Sequence, residues 1–142
     1  MKEKFISHSV SETESIAQGF AARLKPGDGV LYKGEMGAGK TYFTKGIARF
    51  FKTHDEVTSP TFALINEYYG DIGIFHFDLF RISDFDELYA IGFYDYFDRN
   101  GVFCIEWSEN IPGIADEFEA AYEVSIVKTG VQDREITVEK IK

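Results

Sequence analysis

The segment Gly34-Glu35-Met36-Gly37-Ala38-Gly39-Lys40-Thr41 satisfies the pattern G-x-x-x-x-G-K-[ST] at every fixed position. Glycines at these spacings let backbone N–H groups turn inward around phosphates, and the helix that follows offers them its positive dipole end. The lysine then reaches the β- and γ-phosphates, and the hydroxyl ligates Mg²⁺. Such a loop has to sit between a strand and a helix, and the flanking sequence supplies both. Gly29 to Lys33 is a short β-type run, and Thr41 to Phe51 carries Phe43, Ile47, Ala48, Phe50 and Phe51 on a helical pattern. The nucleotide-contacting stretch is therefore Gly34 to Thr41, with Tyr42 adjoining it. The fold class this predicts is α/β, a P-loop NTPase-like domain.

The rest of the chain is read around that unit. Lys4 to His8 reads as an edge strand, and Ser11 with Glu14 forms a capping-box pattern for a helix carrying Ile16, Ala17, Phe20 and Leu24, which stops at Lys25-Pro26-Gly27. Val57-Thr58-Ser59-Pro60-Thr61-Phe62 suits an ordered loop, leading into a strand from Ala63 to Tyr69. Gly70-Asp71-Ile72-Gly73 is a hairpin turn into a second strand, Ile74 to Phe77. Short helices are expected over Phe85 to Ile91 and Phe93 to Phe97, broken at Gly92, and Val102 to Ile105 is a buried-type strand. Tyr122 to Val127 and Glu135 to Ile141 alternate apolar and polar residues about Gly130, as a C-terminal antiparallel hairpin would.

Length and composition bound the function. A chain of 142 residues with 44% hydrophobic and 27% charged residues fits one domain, residues 1–142, with a core that needs no disulfide. Its one cysteine, Cys104, lies in the apolar run Val102-Phe103-Cys104-Ile105 and reads as a small buried thiol. Met1 to Val10 has no apolar leader core, and no stretch approaches the roughly 18 apolar residues that span a bilayer, so no membrane contact and a cytoplasmic location are expected. A formal net charge of −9 argues against binding nucleic acid unaided.

Hydrolysis requires a carboxylate at the end of a strand beside the P-loop, to hold metal or orient water. Asp78 follows Ile74-Phe75-His76-Phe77, and Glu106 follows Val102-Phe103-Cys104-Ile105, so both have that context and their division of labour stays open. Thr61 is a candidate to meet the γ-phosphate as switch threonines do, although a hydroxyl closing its own turn is an equal reading. His76 has only Asp78 at metal-ligand spacing and reads as a structural histidine, and Trp107 as a packing residue.

These segments together resemble the TsaE (YjeE) family of ATPases in bacterial tRNA threonylcarbamoyladenosine (t⁶A) synthesis. The resemblance rests on the P-loop, Thr58-Ser59-Pro60-Thr61-Phe62, His76-Phe77-Asp78-Leu79-Phe80-Arg81, the Ile91-Gly92 to Tyr96-Phe97 segment and Glu106-Trp107-Ser108-Glu109, in that order at this length. Phe80 stands where a tyrosine is usual and Ser108 where a proline is common. The resemblance implies a central mixed β-sheet flanked by helices, ATP as substrate, and Thr41 and Glu106 as Mg²⁺ ligands. It puts Asp78 near the attacking water or the metal, makes the Ser-Pro-Thr loop a switch region, and gives Ser11, Thr13 and Arg134 a part in holding nucleotide. It also implies the partners TsaB and TsaD, which place a threonylcarbamoyl group on adenosine 37 of tRNAs reading codons that begin with A, with tRNA met mainly through that complex. Two other readings share the P-loop. A small P-loop kinase would carry an arginine-rich lid, whereas Arg81, Arg99 and Arg134 are the only arginines after the P-loop helix. A nucleotide-binding switch module would show negligible hydrolysis of its own.

Overall fold

A computed structural model describes residues 2–35, 38–54, 57 and 64–142. Met36 and Gly37 of the P-loop, the Thr58 to Phe62 segment with its switch candidate Thr61, and Ala63 lie outside the described residues.

The strands are β1 (Lys2–Ser7), β2 (Gly29–Lys33), β3 (Ile65–Tyr69), β4 (Gly73–Asp78), β5 (Gly101–Glu106), β6 (Ala121–Lys128) and β7 (Arg134–Lys140). They form one seven-stranded sheet in the order β1-β7-β6-β2-β5-β4-β3. Its centre is parallel, with β2 paired to β5 on one side and β6 on the other, and β4 beyond β5. Antiparallel pairs close the flanks, so the sheet is mixed. The parallel strands are continuous apolar runs because both faces are covered: β4 and β5 are buried at every position but the last.

Strand alternation sends Val30, Tyr32, Ile74, His76, Val102 and Cys104 to one face and Leu31, Phe75, Phe77, Phe103 and Ile105 to the other. The first face is covered by helices α1 (Val10–Ala21) and α2 (Lys40–Phe50), which cross closely. Gly46 marks the crossing, where a Cβ would stand 2.4 Å from Glu14 O and 2.5 Å from the Ala17 Cβ. Among the described residues no long helix lies over the second face. Its cover is α3 (Phe85–Ala90) and single 3₁₀ turns at Phe93–Asp98, Ser108–Asn110 and Ile114–Glu117. Short elements bring little aliphatic surface, so large rings fill the layer, with Phe97 stacked on Phe103 at 4.5 Å and Phe77, Phe93 and Phe118 around them.

Helix α1 begins two residues earlier than Ser11 would place it. Ser9 is the N-cap and its hydroxyl accepts from the Glu12 N–H, while the Glu12 carboxylate accepts from the His8 N–H at 2.6 Å. Ser11 is therefore an exposed residue of the first turn, and Glu14 instead meets Arg49 of α2 at 3.6 Å. The break at Gly92 is present, with φ of 84° between α3 and the following 3₁₀ turn. Cys104 is fully buried, and its enclosure raises the thiol pKa to about 12. Among the described residues no helix is long and apolar enough to cross a membrane.

Candidate functional site

Parallel strands end on the same edge of a sheet, and that edge is where the chain's chemistry-bearing residues gather. β2 runs into Gly34, β4 ends at Asp78, β5 ends at Glu106, and β7 starts there with Arg134. Because β5 lies between β2 and β4, Glu106 ends the strand next to the P-loop strand and Asp78 the one beyond it, and the β4–β5 register sets the two acids opposite each other.

Two described glycines of the loop hold left-handed backbone angles. Gly34 has φ of 142°, and a Cβ there would meet Ile126 O at 2.5 Å, so no other residue fits. Gly39 occupies the N-cap of α2 at φ of 116° and gives the helix no side-chain cap. The first-turn amides of an eleven-residue helix are thus left to an incoming anion. Ala38 is buried, donates to Glu35 O at 3.1 Å, and accepts from Arg134 Nε at 2.8 Å. Arg134 Nη1 also donates to Asp133 O at 2.9 Å and Gly130 O at 3.3 Å, so this side chain fastens the β6–β7 turn to the P-loop.

Lys40 folds back over the loop. Its Nζ donates to Gly34 O at 3.1 Å and lies 3.4 Å from Glu106 Oε1. The other carboxylate oxygen, Oε2, accepts a 2.7 Å hydrogen bond from His76 Nε2. Burial acts to raise the Glu106 pKa, but the His76 hydrogen bond and the nearby positive charges outweigh it and hold the carboxyl below its usual value. Asp78 is differently engaged: its Oδ1 accepts from the Phe80 N–H at 3.0 Å, and its own N–H donates to Leu64 O. The turn after Asp78 is fixed to β5 by Leu79 N–H to Glu106 O and by Asn110 Nδ2 to Leu79 O.

Below the loop, Tyr32 OH and Thr44 Oγ1 are 2.7 Å apart and Thr44 Oγ1 also donates to Lys40 O, a polar link from β2 to the first turn of α2. Beside the P-loop, a cleft of about 420 Å³ is lined by Ser11, Thr13, Gly39, Tyr42, Gln132 and Arg134, among others. The residues proposed to hold nucleotide are thus neighbours, although the Thr13 hydroxyl is buried and paired with Ser7 Oγ at 2.7 Å. Trp107 differs from the expectation of a packed residue. It is 38% exposed, holds a left-handed φ of 63°, and meets the exposed Phe80 ring edge-on at 5.0 Å.

An oxygen-only set of the Thr41 hydroxyl, Glu106 and Asp78 suits a hard cation such as Mg²⁺. Among the described residues no group of three or more His, Cys, Asp and Glu could hold a metal. Mg²⁺ held with a nucleotide takes one or two carboxylates beside waters and phosphate oxygens, a demand that the chemistry of this oxygen donor set can meet. His76 is fully buried, in keeping with a structural histidine, and its contact with Glu106 is one that sequence reasoning did not supply. The signal was its position two residues before Asp78, which puts it on the same strand face as that strand-end acid.

Residues 7–136 match the family model "Threonylcarbamoyl adenosine biosynthesis protein TsaE". A Treponema pallidum protein named tRNA threonylcarbamoyladenosine biosynthesis protein TsaE is 32% identical over 133 residues, covering 94% of this chain and 97% of that one. The Bacillus subtilis protein of the same name is 38% identical over 131 residues, covering 89% and 78%. The crystal structure of Bacillus subtilis YdiB superposes with a TM-score of 0.76 at 31% identity, covering all of this chain and 87% of that one. With residues 7–136 matched by the family model and relatives 32% and 38% identical over most of both chains, the chain belongs to the TsaE family of threonylcarbamoyladenosine biosynthesis proteins.

Proposed function

We propose that this protein is an Mg²⁺-dependent ATPase that acts on a TsaB/TsaD-type transferase complex in the modification of adenosine 37 of tRNAs reading codons that begin with A. The observation carrying this reading is the grouping of Lys40, Glu106 and Asp78 at the strand edge next to an uncapped helix N-terminus. Phosphate binding falls to the P-loop amides and to Lys40, whose ammonium already spans the loop from Gly34 O to Glu106. Bound with the triphosphate, Mg²⁺ would neutralise charge on the β- and γ-oxygens, held by Thr41 and Glu106. Asp78, at the end of the neighbouring strand, is the group to orient or deprotonate the attacking water. The cleft beside Arg134 would take the nucleoside. With a net charge of −9, contact with tRNA would run through the partner complex rather than this surface.

The test is Mg²⁺-dependent ATP hydrolysis by the purified protein, alone and with TsaB and TsaD, alongside Lys40→Ala, Asp78→Ala and Glu106→Ala. Partner-stimulated turnover that all three substitutions abolish is the expected result. Full partner function with a Glu106→Ala protein that binds ATP without hydrolysing it would favour the nucleotide-governed switch, and absence of ATP binding would remove the reading altogether.

A further inference from the structure

We propose that His76 is a positioning residue for Glu106: its Nε2–H occupies Oε2 at 2.7 Å and leaves Oε1 as the one oxygen turned to the P-loop, where Lys40 Nζ stands 3.4 Å away. The inference rests on the ATPase reading and deepens it by naming the residue that sets the geometry of the metal-binding carboxylate.

A carboxylate only accepts hydrogen bonds, so in this contact the imidazole donates through Nε2. The donor is enclosed by packing. His76 is fully buried on β4, in register with Cys104 of β5, with the Tyr32 ring 6.4 Å away at a steep angle. A histidine locked on a central strand can therefore fix a glutamate at the end of the next strand, a side chain that would otherwise have three rotatable bonds at a half-buried edge. Fixing one oxygen has a chemical consequence. An unheld carboxylate can turn both oxygens to a cation, an arrangement that large, flexible Ca²⁺ shells accept, whereas Mg²⁺ demands near-octahedral single-oxygen contacts. The partner behind a ligand commonly governs metal affinity nearly as strongly as the ligand itself. Among the described residues the hydrogen-bond partner of His76 is Glu106, so its effect passes through that carboxylate.

The experiment measures Mn²⁺ binding, by the electron paramagnetic resonance signal of the free ion, to the full chain saturated with a non-hydrolysable ATP analogue. The variants are His76→Leu, His76→Asn and His76→Gln, with thermal melting to establish folding and parallel turnover assays. The amide of Gln reaches the place of Nε2, while that of Asn stops near Nδ1. Leu and Asn are expected to weaken Mn²⁺ binding and turnover by about 10- to 100-fold with little change in analogue affinity, and Gln to restore most of it. In a Glu106→Gln background, replacing His76 should change metal binding no further, the non-additivity expected of residues acting as a unit. If wild type binds metal and turns over while the Asn variant matches it, or if Gln and Asn are indistinguishable, the positioning role is overturned and the ATPase reading survives. If wild type binds neither metal nor analogue, both fall.

Discussion

Asp78 stands directly opposite Glu106 in the parallel β4–β5 ladder, yet the two carboxylates are held by different groups. Among the described residues, Glu106 is gripped by His76 and Lys40, whereas the Asp78 carboxylate accepts from the Phe80 N–H that follows it. The carboxamide variants should separate accordingly. Glu106→Gln is expected to raise the Mg²⁺ requirement by at least about tenfold. Asp78→Asn keeps the acceptor for Phe80, so it should melt like wild type while turnover falls by about 10²- to 10⁴-fold. Mg²⁺ titrations of turnover and melting curves on the two proteins check both.

At Gly46 an ordinary helix rule should reverse. Alanine in a helix interior usually stabilises relative to glycine, by up to about 1 kcal/mol. Here the added methyl would meet Glu14 O at 2.4 Å and the Ala17 Cβ at 2.5 Å, and the first of these is backbone. Gly46→Ala should therefore destabilise by about 1–3 kcal/mol, lowering the melting temperature by roughly 3–10 °C. An unchanged or higher melting temperature would mean that α1 can move away from α2 at little cost.

Arg134 reaches Ala38 O through Nε and the turn carbonyls of Gly130 and Asp133 through Nη1. Lysine keeps the charge but loses the planar fork. Arg134→Lys should weaken binding of a fluorescent ATP analogue by about tenfold, the equivalent of one charge-assisted hydrogen bond. Affinity within a factor of two of wild type would separate Arg134 from nucleotide binding.

The Cys104 thiol is fully buried and its pKa is pushed up to about 12 by that burial. It should resist a disulfide reagent near pH 8 in the folded protein and react stoichiometrically once the chain is unfolded in guanidinium. Fast labelling under native conditions would show β5 opening to solvent.

How much of this was legible beforehand depended on sequence distance. The P-loop is eight contiguous residues whose backbone geometry is written in their glycines, and the two strand-end acids follow apolar runs that announce them. His76 was harder because its partner lies 30 positions away and comes within reach only through the β4–β5 register. The α1 cap shows a local ambiguity: Ser9 with Glu12 and Ser11 with Glu14 have the same spacing, and the choice follows from β1 ending at Ser7. The ring contact between Phe80 and Trp107 depends on two turns meeting across the sheet edge, which no periodicity encodes.

His8 and Asp133 link the start of α1 to the β6–β7 turn, with Nδ1 3.0 Å from Oδ1. The hydrogen bond and the charge of Asp133 raise the His8 pKa, so the folded state favours the protonated ring. A raised histidine contributes stability that is fully present below its ordinary pKa and is lost as pH rises through the folded value. His8→Gln should therefore lower the melting temperature near pH 5.5 and leave it unchanged near pH 8.5. Equal melting shifts at both pH values would show that the contact carries no charge-dependent stability. Both groups are largely solvent-exposed, so added salt should shrink the low-pH difference.

The strand order β1-β7-β6 gives the first strand of the chain the last one as its sole neighbour, with six residue pairs in register from Lys2 with Glu139 to Ser7 with Arg134. These partners are 127 to 137 positions apart in sequence, from Ser7 with Arg134 (134 − 7) to Lys2 with Glu139 (139 − 2). A ladder of such separation meets a large loop-closure entropy before its contacts reward it, so this flank is expected to complete late in folding, after the local hairpins and the α1–α2 pair.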